Sequence, residues 1–274
     1  MRPRPLLSLV SSSMVEFQEK SDILRTEQLT EGIFRLTLNA PRIAAAVRPG
    51  QFVMVSCGPG LDPLLRRPFS MHQVSRDGQV QILFKVVGRG TDLLARTRPG
   101  ESLSLLGPLG RGFSLQTDGA ICLVGGGMGI APLLFLASRL GELSGGHRSP
   151  LVLLGARSAQ ELAPLAAGFV ALGCEVLTAT DDGSLGHHGP VADLLPDQLG
   201  RTDRVAVCGP FAMMAAVAAL CQASNTPCQV SLETHMACGL GACLGCTIHG
   251  ADGNYRHVCK HGPVMAAEEV AWTR

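Results

Sequence analysis

Four cysteines, Cys238, Cys243, Cys246 and Cys259, stand in the order C-x4-C-x2-C-x12-C. A C-x4-C-x2-C run with a distant fourth cysteine is a spacing in which four thiolates hold a 2Fe-2S cluster. The spacers Gly239-Leu240-Gly241-Ala242 and Leu244-Gly245 are small or glycine at almost every position. A loop wrapped around a cluster needs positive φ angles and free N–H groups aimed at sulfur, and glycine permits both cheaply. Zinc sites also use short cysteine pairs, usually two well-separated ones, whereas here three ligands crowd into nine residues. The spacing favours iron-sulfur chemistry, one electron at a time, over zinc or a structural role.

Two further stretches read as nucleotide sites. Gly125-Gly126-Gly127-Met128-Gly129-Ile130-Ala131-Pro132 follows an apolar strand and precedes a helix-like run. Such a turn brings a pyrophosphate against the backbone and a helix N-terminus, and Pro132 is tolerated in a first turn. It departs from the strict G-x-G-x-x-G register, so placement rather than pattern carries the reading, against a plain tight turn. Cys208-Gly209-Pro210 ends another strand, which the carboxyl-edge rule places beside the same crevice. Met213 and Met214 read as helix core.

Upstream, Arg66-Arg67-Pro68-Phe69-Ser70 sets two cations, a rigid turn and a hydroxyl together. An arginine can fork onto a phosphate, although a solvated arginine pair is the plain alternative. Lys85-Val86-Val87-Gly88-Arg89-Gly90-Thr91 offers glycine N–H groups and a hydroxyl for a second phosphate at the end of the next strand.

The elements that must position these residues change texture along the chain. From about residue 21 to 115, short strands such as 33–38, 51–55, 79–86 and 102–106 are broken by Pro49-Gly50 and Pro99-Gly100. That pattern predicts an antiparallel β-barrel. After residue 118, continuous apolar strands at 120–124, 151–154, 175–179 and 204–208 alternate with helical segments, which predicts a doubly wound parallel sheet. The expected organisation is an N-terminal extension (1–17), a barrel domain (18–117), an α/β domain (118–228) and a small cysteine module (229–274).

A chain of 274 residues, 46% hydrophobic and 16% charged, has room for these domains and is globular rather than disordered. A net charge of +1 gives no basic field for nucleic acid, and one Trp and one Tyr leave little for base stacking. The other six cysteines, Cys57, Cys122, Cys174, Cys208, Cys221 and Cys228, lie scattered among apolar residues, as reduced thiols do. The basic, proline-interrupted start makes a poor secretory signal, and no stretch reaches the roughly 20 apolar residues of a membrane span. A cytoplasmic protein without membrane partners is expected.

In sequence order, RRPFS, GRGT, GGGMGIAP and CGPFAMM resemble the ferredoxin-NADP reductase superfamily. Residues 236–246 with Val258-Cys259-Lys260-His261-Gly262-Pro263 resemble the electron-transfer subunits of type B dihydroorotate dehydrogenase. The resemblance covers about residues 20 to 266. It implies an FAD-binding barrel, an NAD(P) domain and a 2Fe-2S lobe held by Cys238, Cys243, Cys246 and Cys259. Arg67, Pro68, Phe69, Ser70, Gly90 and Thr91 would then serve FAD, with Phe84, Lys85 and Val86 beside them. Gly125, Gly126, Gly127, Met128, Gly129, Ala131, Pro132, Cys208, Gly209 and Pro210 would serve NAD(H).

The implied reaction is electron relay between NAD+ and the FMN of a dihydroorotate-oxidising catalytic partner, in a heterotetramer of pyrimidine biosynthesis, with no acid or base in this chain. Related flavin and iron-sulfur subunits, such as that of NADH-dependent ferredoxin:NADP oxidoreductase, are the alternative. Two departures stand out: His261 occupies a position that is often acidic in such subunits, and the first dozen residues have no counterpart. The nicotinamide preference is divided. The family favours NAD, while Gly155-Ala156-Arg157-Ser158 lacks an acid for a ribose hydroxyl, and Arg157 suits a 2'-phosphate.

Overall fold

The computed structural model describes residues 16–58, 60, 62–146 and 149–272, so the expected extension lies, up to residue 15, outside the described residues. Strands β1 (Phe17–Thr30), β2 (Ile33–Asn39), β3 (Phe52–Val55), β4 (Arg67–Val74), β5 (Gln79–Lys85) and β6 (Ser102–Leu109) form a closed barrel in the order β1-β2-β5-β4-β3-β6. Helices α1 (Pro41–Ala46) and α2 (Arg89–Ala95) lie between its strands. Along β6, Leu103 and Leu105 point inward while Ser102 and Ser104 are only half-buried, the two-residue alternation of a strand with one wet face.

One expectation changes here. Arg67–Ser70, read as part of a rigid turn, is the first half of β4. Pro68 is accommodated because this half pairs only with β3 (Met54 opposite Pro68), while pairing with β5 begins at Met71. On the unpaired side a missing N–H costs nothing.

The second layer is a seven-stranded sheet ordered β10-β9-β8-β7-β11-β12-β15. Its strands are β7 (Ile121–Gly126), β8 (Leu151–Ala156), β9 (Glu175–Thr180), β10 (His187–His188), β11 (Arg204–Cys208), β12 (Cys228–Ser231) and, antiparallel at one edge, β15 (Val264–Ala266). Helices α3 (Ala131–Leu143), α4 (Ala159–Ala171), α5 (Pro196–Leu199) and α6 (Phe211–Ala223) connect them. Between β12 and β15 the chain makes an excursion containing the four cysteines, the hairpin β13 (Thr247–His249) with β14 (Tyr255–His257), and α7 (Val258–His261).

The layers share apolar cores. Phe135 of α3 is buried in the barrel cluster with Phe69, Met71 and Phe84, while Ile33 and Leu83 of the barrel pack among α3 residues. Phe52, Met54 and Leu109 of the barrel meet Cys246, Val258, Cys259 and Met265. Among the described residues, no helix is long and apolar enough to cross a membrane.

Candidate electron-transfer site

A cavity of about 560 Å³ opens where barrel, sheet and cysteine excursion meet. Its walls include Arg67, Pro68, Phe69 and Ser70 of β4, Phe84 and Lys85 of β5, Gly90 and Thr91 of α2, and Met128 and Ala131 of the glycine turn and α3. Val86 does not line it and packs instead against the barrel core. Leu232, Glu233, Thr234, Met236 and Pro263 close the third side. The Thr234 hydroxyl oxygen is buried without a hydrogen-bond partner, a polar atom that a bound ligand could satisfy. A Cβ at Gly90 would press on Arg67 Nε and Cys57 Sγ at 3.3 Å, so the backbone comes close to the arginine only because glycine is there. These features fit FAD.

The polar groups divide their work differently from the simple picture of two phosphate cradles. Arg66 is spent on β6, its Nη1 donating to the Ser104 carbonyl (2.6 Å) and its Nη2 to Ser104 Oγ (2.9 Å). Arg67 is anchored by Nη1 to the Leu65 carbonyl and still lines the cavity. The Thr91 hydroxyl donates to Gly88 O and accepts from the Val87 and Gly88 N–H groups (2.9 and 3.2 Å), so it shapes the loop rather than offering a free donor. Lys85 Nζ pairs with Glu161 of α4 at 2.9 Å, across the two layers.

The glycine turn is pressed against the end of β11. A Cβ at Gly129 would collide with the Cys208 carbonyl and Gly209 nitrogen, and one at Gly126 with Met213 Sδ and Pro210. Gly125 is closed in by Ile130, Leu133 and Leu154, whereas Gly127, at φ +53°, faces open space. Pro132 is buried in the first turn of α3. Gly209 and Pro210 line a neighbouring cavity of about 390 Å³ that shares Leu232, Glu233 and Thr234 with the first. The Cys208 thiol is fully buried, which pushes it well above the usual thiol range and removes it from ionic chemistry. Met214 is core, while Met213 is only partly buried beside the turn.

The four cysteines fall into two pairs. Cys246 Sγ and Cys259 Sγ are 3.2 Å apart, while Cys238 Sγ accepts the Cys243 N–H at 3.4 Å and also bonds the Cys243 thiol. Amides of Leu240 (3.3 Å, to Cys238), Gly241 (3.1 Å, to Cys259) and Cys259 (3.5 Å, to Cys246) point at sulfur. Gly239 and Gly241 hold φ of +73° and +77°, which lets the loop curl. Burial works to raise the Cys238 thiol, but hydrogen bonds from Cys243, Leu240 and Ala242 outweigh it and bring it down to about 6. Among the described residues, no three His, Cys, Asp or Glu converge as a single ion requires. Two sulfur pairs suit two irons better than one zinc. The excursion is docked on the barrel, since Gly239 packs directly on Met54 and Leu109. The Nδ1 of His261 accepts the His257 N–H at 2.9 Å.

Sequence reasoning missed Glu233. It lines both cavities and is exposed through them, while the protein crowded around it pushes its carboxyl above the usual carboxylate range. No periodicity marks it, because it sits in the irregular link between β12 and Cys238. Two acids also escaped notice. The Asp181 and Asp182 N–H groups donate to the Ala156 and Arg157 carbonyls, both at 3.1 Å, placing acidic residues of the neighbouring strand end beside Arg157.

A closed barrel with a flavin-sized cavity, a doubly wound sheet offering a glycine turn, and a four-thiolate loop docked on both define a flavin and iron-sulfur oxidoreductase of the ferredoxin-reductase type. Residues 24–113 match an "Oxidoreductase FAD-binding domain", and residues 233–271 match the "Iron-sulfur cluster binding domain of dihydroorotate dehydrogenase B". The chain belongs to the family of electron transfer subunits of dihydroorotate dehydrogenase B (NAD(+)). It is 40% identical to the member from Desulforamulus reducens over 91% of this chain and 97% of that protein. It is 38% identical to the member from Geobacillus thermodenitrificans over 92% and 98%. Among solved structures it is similar to an NADH-dependent reduced ferredoxin-NADP oxidoreductase described for flavin-based electron bifurcation (TM-score 0.81, 30% identity, 92% of this chain and 90% of that one). The ferredoxin NADP+ reductase of Neisseria gonorrhoeae shares the fold (TM-score 0.62, 17% identity, covering 76% and 91%).

Proposed function

We propose that this chain relays electrons from the FMN of a dihydroorotate-oxidising catalytic subunit to NAD+, in pyrimidine biosynthesis, as part of a cytoplasmic heterotetramer. When bound, FAD exchanges two electrons with nicotinamide as a hydride and exchanges them singly with an iron-sulfur cluster. The chain's own residues supply position. Pro68, Ser70 and Phe84, with Arg67 and the α2 loop, would hold FAD in the cavity they line. Gly209 and Pro210 line the adjoining cavity, from which a nicotinamide would reach the flavin cavity past Met128 and Ala131, and Cys238, Cys243, Cys246 and Cys259 would hold the cluster. Glu233 lines both cavities.

The observation that carries this reading is that one cavity is walled by the flavin motifs, the glycine turn and Met236, two residues from the cluster ligand Cys238. Leu240 and Leu244 are 48% and 53% exposed beside an exposed Cys243, which gives the cluster an apolar rim toward a partner. Co-purification with a candidate catalytic subunit, followed by dihydroorotate-dependent NAD+ reduction, tests the assignment. A flavin-replete complex without activity would defeat it. Cys243→Ser should abolish the cluster's EPR signal and onward transfer while NADH still bleaches FAD; loss of both would make the cluster a structural clamp. The likeness to the ferredoxin-NADP oxidoreductase carries a second reading, supported if reduced ferredoxin, and not dihydroorotate, delivers the electrons.

A further inference from the structure

We propose that His72 is a positioning residue for flavin reduction: it ties the strand carrying the flavin motif to the helix that follows the nicotinamide turn, and thereby sets the approach of the two rings. The proposal rests on the cofactor reading above. Three observations carry it, and His72 itself is not among the residues that line the cavity.

The first is a β-bulge. Opposite β5, Met71 pairs with Ile82 and Gln73 with Gln81, so two steps along β4 match one along β5 and His72 is the extra residue. A bulge re-aims a side chain at the cost of local pairing, and bulges gather beside active sites. The second is the bond this aim achieves. His72 Nδ1 lies 2.8 Å from the Ala131 carbonyl oxygen, 59 residues away and in the other layer. A carbonyl can only accept, so Nδ1 carries the proton. His72 is 4% exposed, and Ala131 is also 4% exposed. The third is the position of both ends. Pro68, Phe69 and Ser70, immediately before the bulge on β4, line the cavity, as do Ala131 and Met128 at the other end of the bond.

A buried imidazole is a poor choice for packing alone, because its polar edge must be desolvated. Phe135, on the same helix, already supplies apolar contact with the barrel. What His72 adds is direction, since a hydrogen bond fixes distance and angle where apolar contact allows sliding. Burial also keeps the ring neutral, with its pKa lowered to about 4, so the bond is unaffected by pH changes near neutrality.

The test compares His72→Phe, which keeps a ring but has no donor, with His72→Asn, whose side-chain amide sits near the place of Nδ1. Flavin-replete proteins would be mixed rapidly with NADH. The readouts are the NADH dissociation constant, the rate constant of flavin bleaching, the long-wavelength charge-transfer absorbance of the nicotinamide–flavin complex, and the flavin midpoint potential. His72→Phe is expected to slow bleaching about tenfold or more and to weaken the charge-transfer band. The dissociation constant should stay within about twofold of wild type and the potential should not move. His72→Asn should restore most of the rate. His72→Leu makes the same comparison if the phenylalanine variant does not fold. A donor-less variant with wild-type rate and band, or an asparagine variant equally slow, overturns the proposal. A wild-type flavin that NADH does not bleach overturns the cofactor reading instead.

Discussion

At Gly129 the chain leaves no space for a methyl group, whereas two residues earlier Gly127 faces open space. Gly129→Ala should therefore cost about 1–3 kcal/mol through overpacking and weaken NADH binding by pushing the turn off Cys208 and Gly209. Gly127→Ala meets only the positive-φ penalty, about 1 kcal/mol. Thermal melts with NADH titrations of the two variants check the contrast. Asp181 and Asp182 beside Arg157 would repel a 2'-phosphate, so NADH should reduce the flavin at least roughly tenfold more efficiently than NADPH, and Asp181→Asn should narrow that ratio.

His72 gives a pH prediction with a definite sign. Its folded pKa of about 4 lies below the ordinary 6.5, with burial as the main cause, opposed by the Ala131 carbonyl. The unfolded chain thus takes up a proton before the native one does. The contribution is complete above 6.5 and shrinks as pH falls toward 4, to a total of roughly 3 kcal/mol. Between pH 7 and pH 5 the urea midpoint of wild type should fall relative to that of His72→Asn, whose side chain does not titrate. At this scale the four cysteines were legible as a group because like residues share a short segment. Glu233 and His72 were not, since each acquires meaning only from residues far away in sequence.

Among the elements, α2 and its loop depend on one hydroxyl. Thr91 makes three hydrogen bonds within the loop, and Thr91→Val removes them all while keeping the shape. Leaving two backbone N–H groups without that acceptor is expected to weaken FAD binding by about 1–3 kcal/mol, roughly five- to 150-fold, measured by flavin titration of the apoprotein. Most strands were legible from alternation or from apolar runs bounded by Pro-Gly and glycine. The first half of β4 was not, because a proline suits either a turn or a strand paired on one side, and only the barrel's register distinguishes them. The bulge at His72 is likewise a property of two strands together and leaves no mark on either alone.

At the scale of the whole molecule, barrel and sheet are joined by apolar contact more than by charge. The Lys85–Glu161 pair is partly solvated, with side chains 34% and 15% exposed, which limits its worth to about 1 kcal/mol. Lys85→Met should shift the melting temperature by no more than about 4 °C. Phe135→Ala, which empties a site 3% exposed inside the barrel cluster, should cost about 3–5 kcal/mol. Calorimetry of the two variants would separate these contributions. The order of barrel, sheet and cysteine segment was legible from the change in texture along the chain. The shared cores were not, because Phe135 and Leu83 look like ordinary residues of their own layers.

The cysteine excursion leaves the sheet after β12 and re-enters it as β15, and these strands are direct neighbours, with Ser231 opposite Val264 and the Leu232 N–H bonded to the Pro263 carbonyl at 2.9 Å. The iron-sulfur segment is thus an insert spliced into a hairpin, with its splice points already held together. Joining Leu232 to Pro263 by a short turn would preserve every strand pairing of the barrel and the seven-stranded sheet. The same deletion would remove Glu233, Thr234 and Met236 from the cavity wall, so the insert is seamless for the sheet and yet completes the cavity.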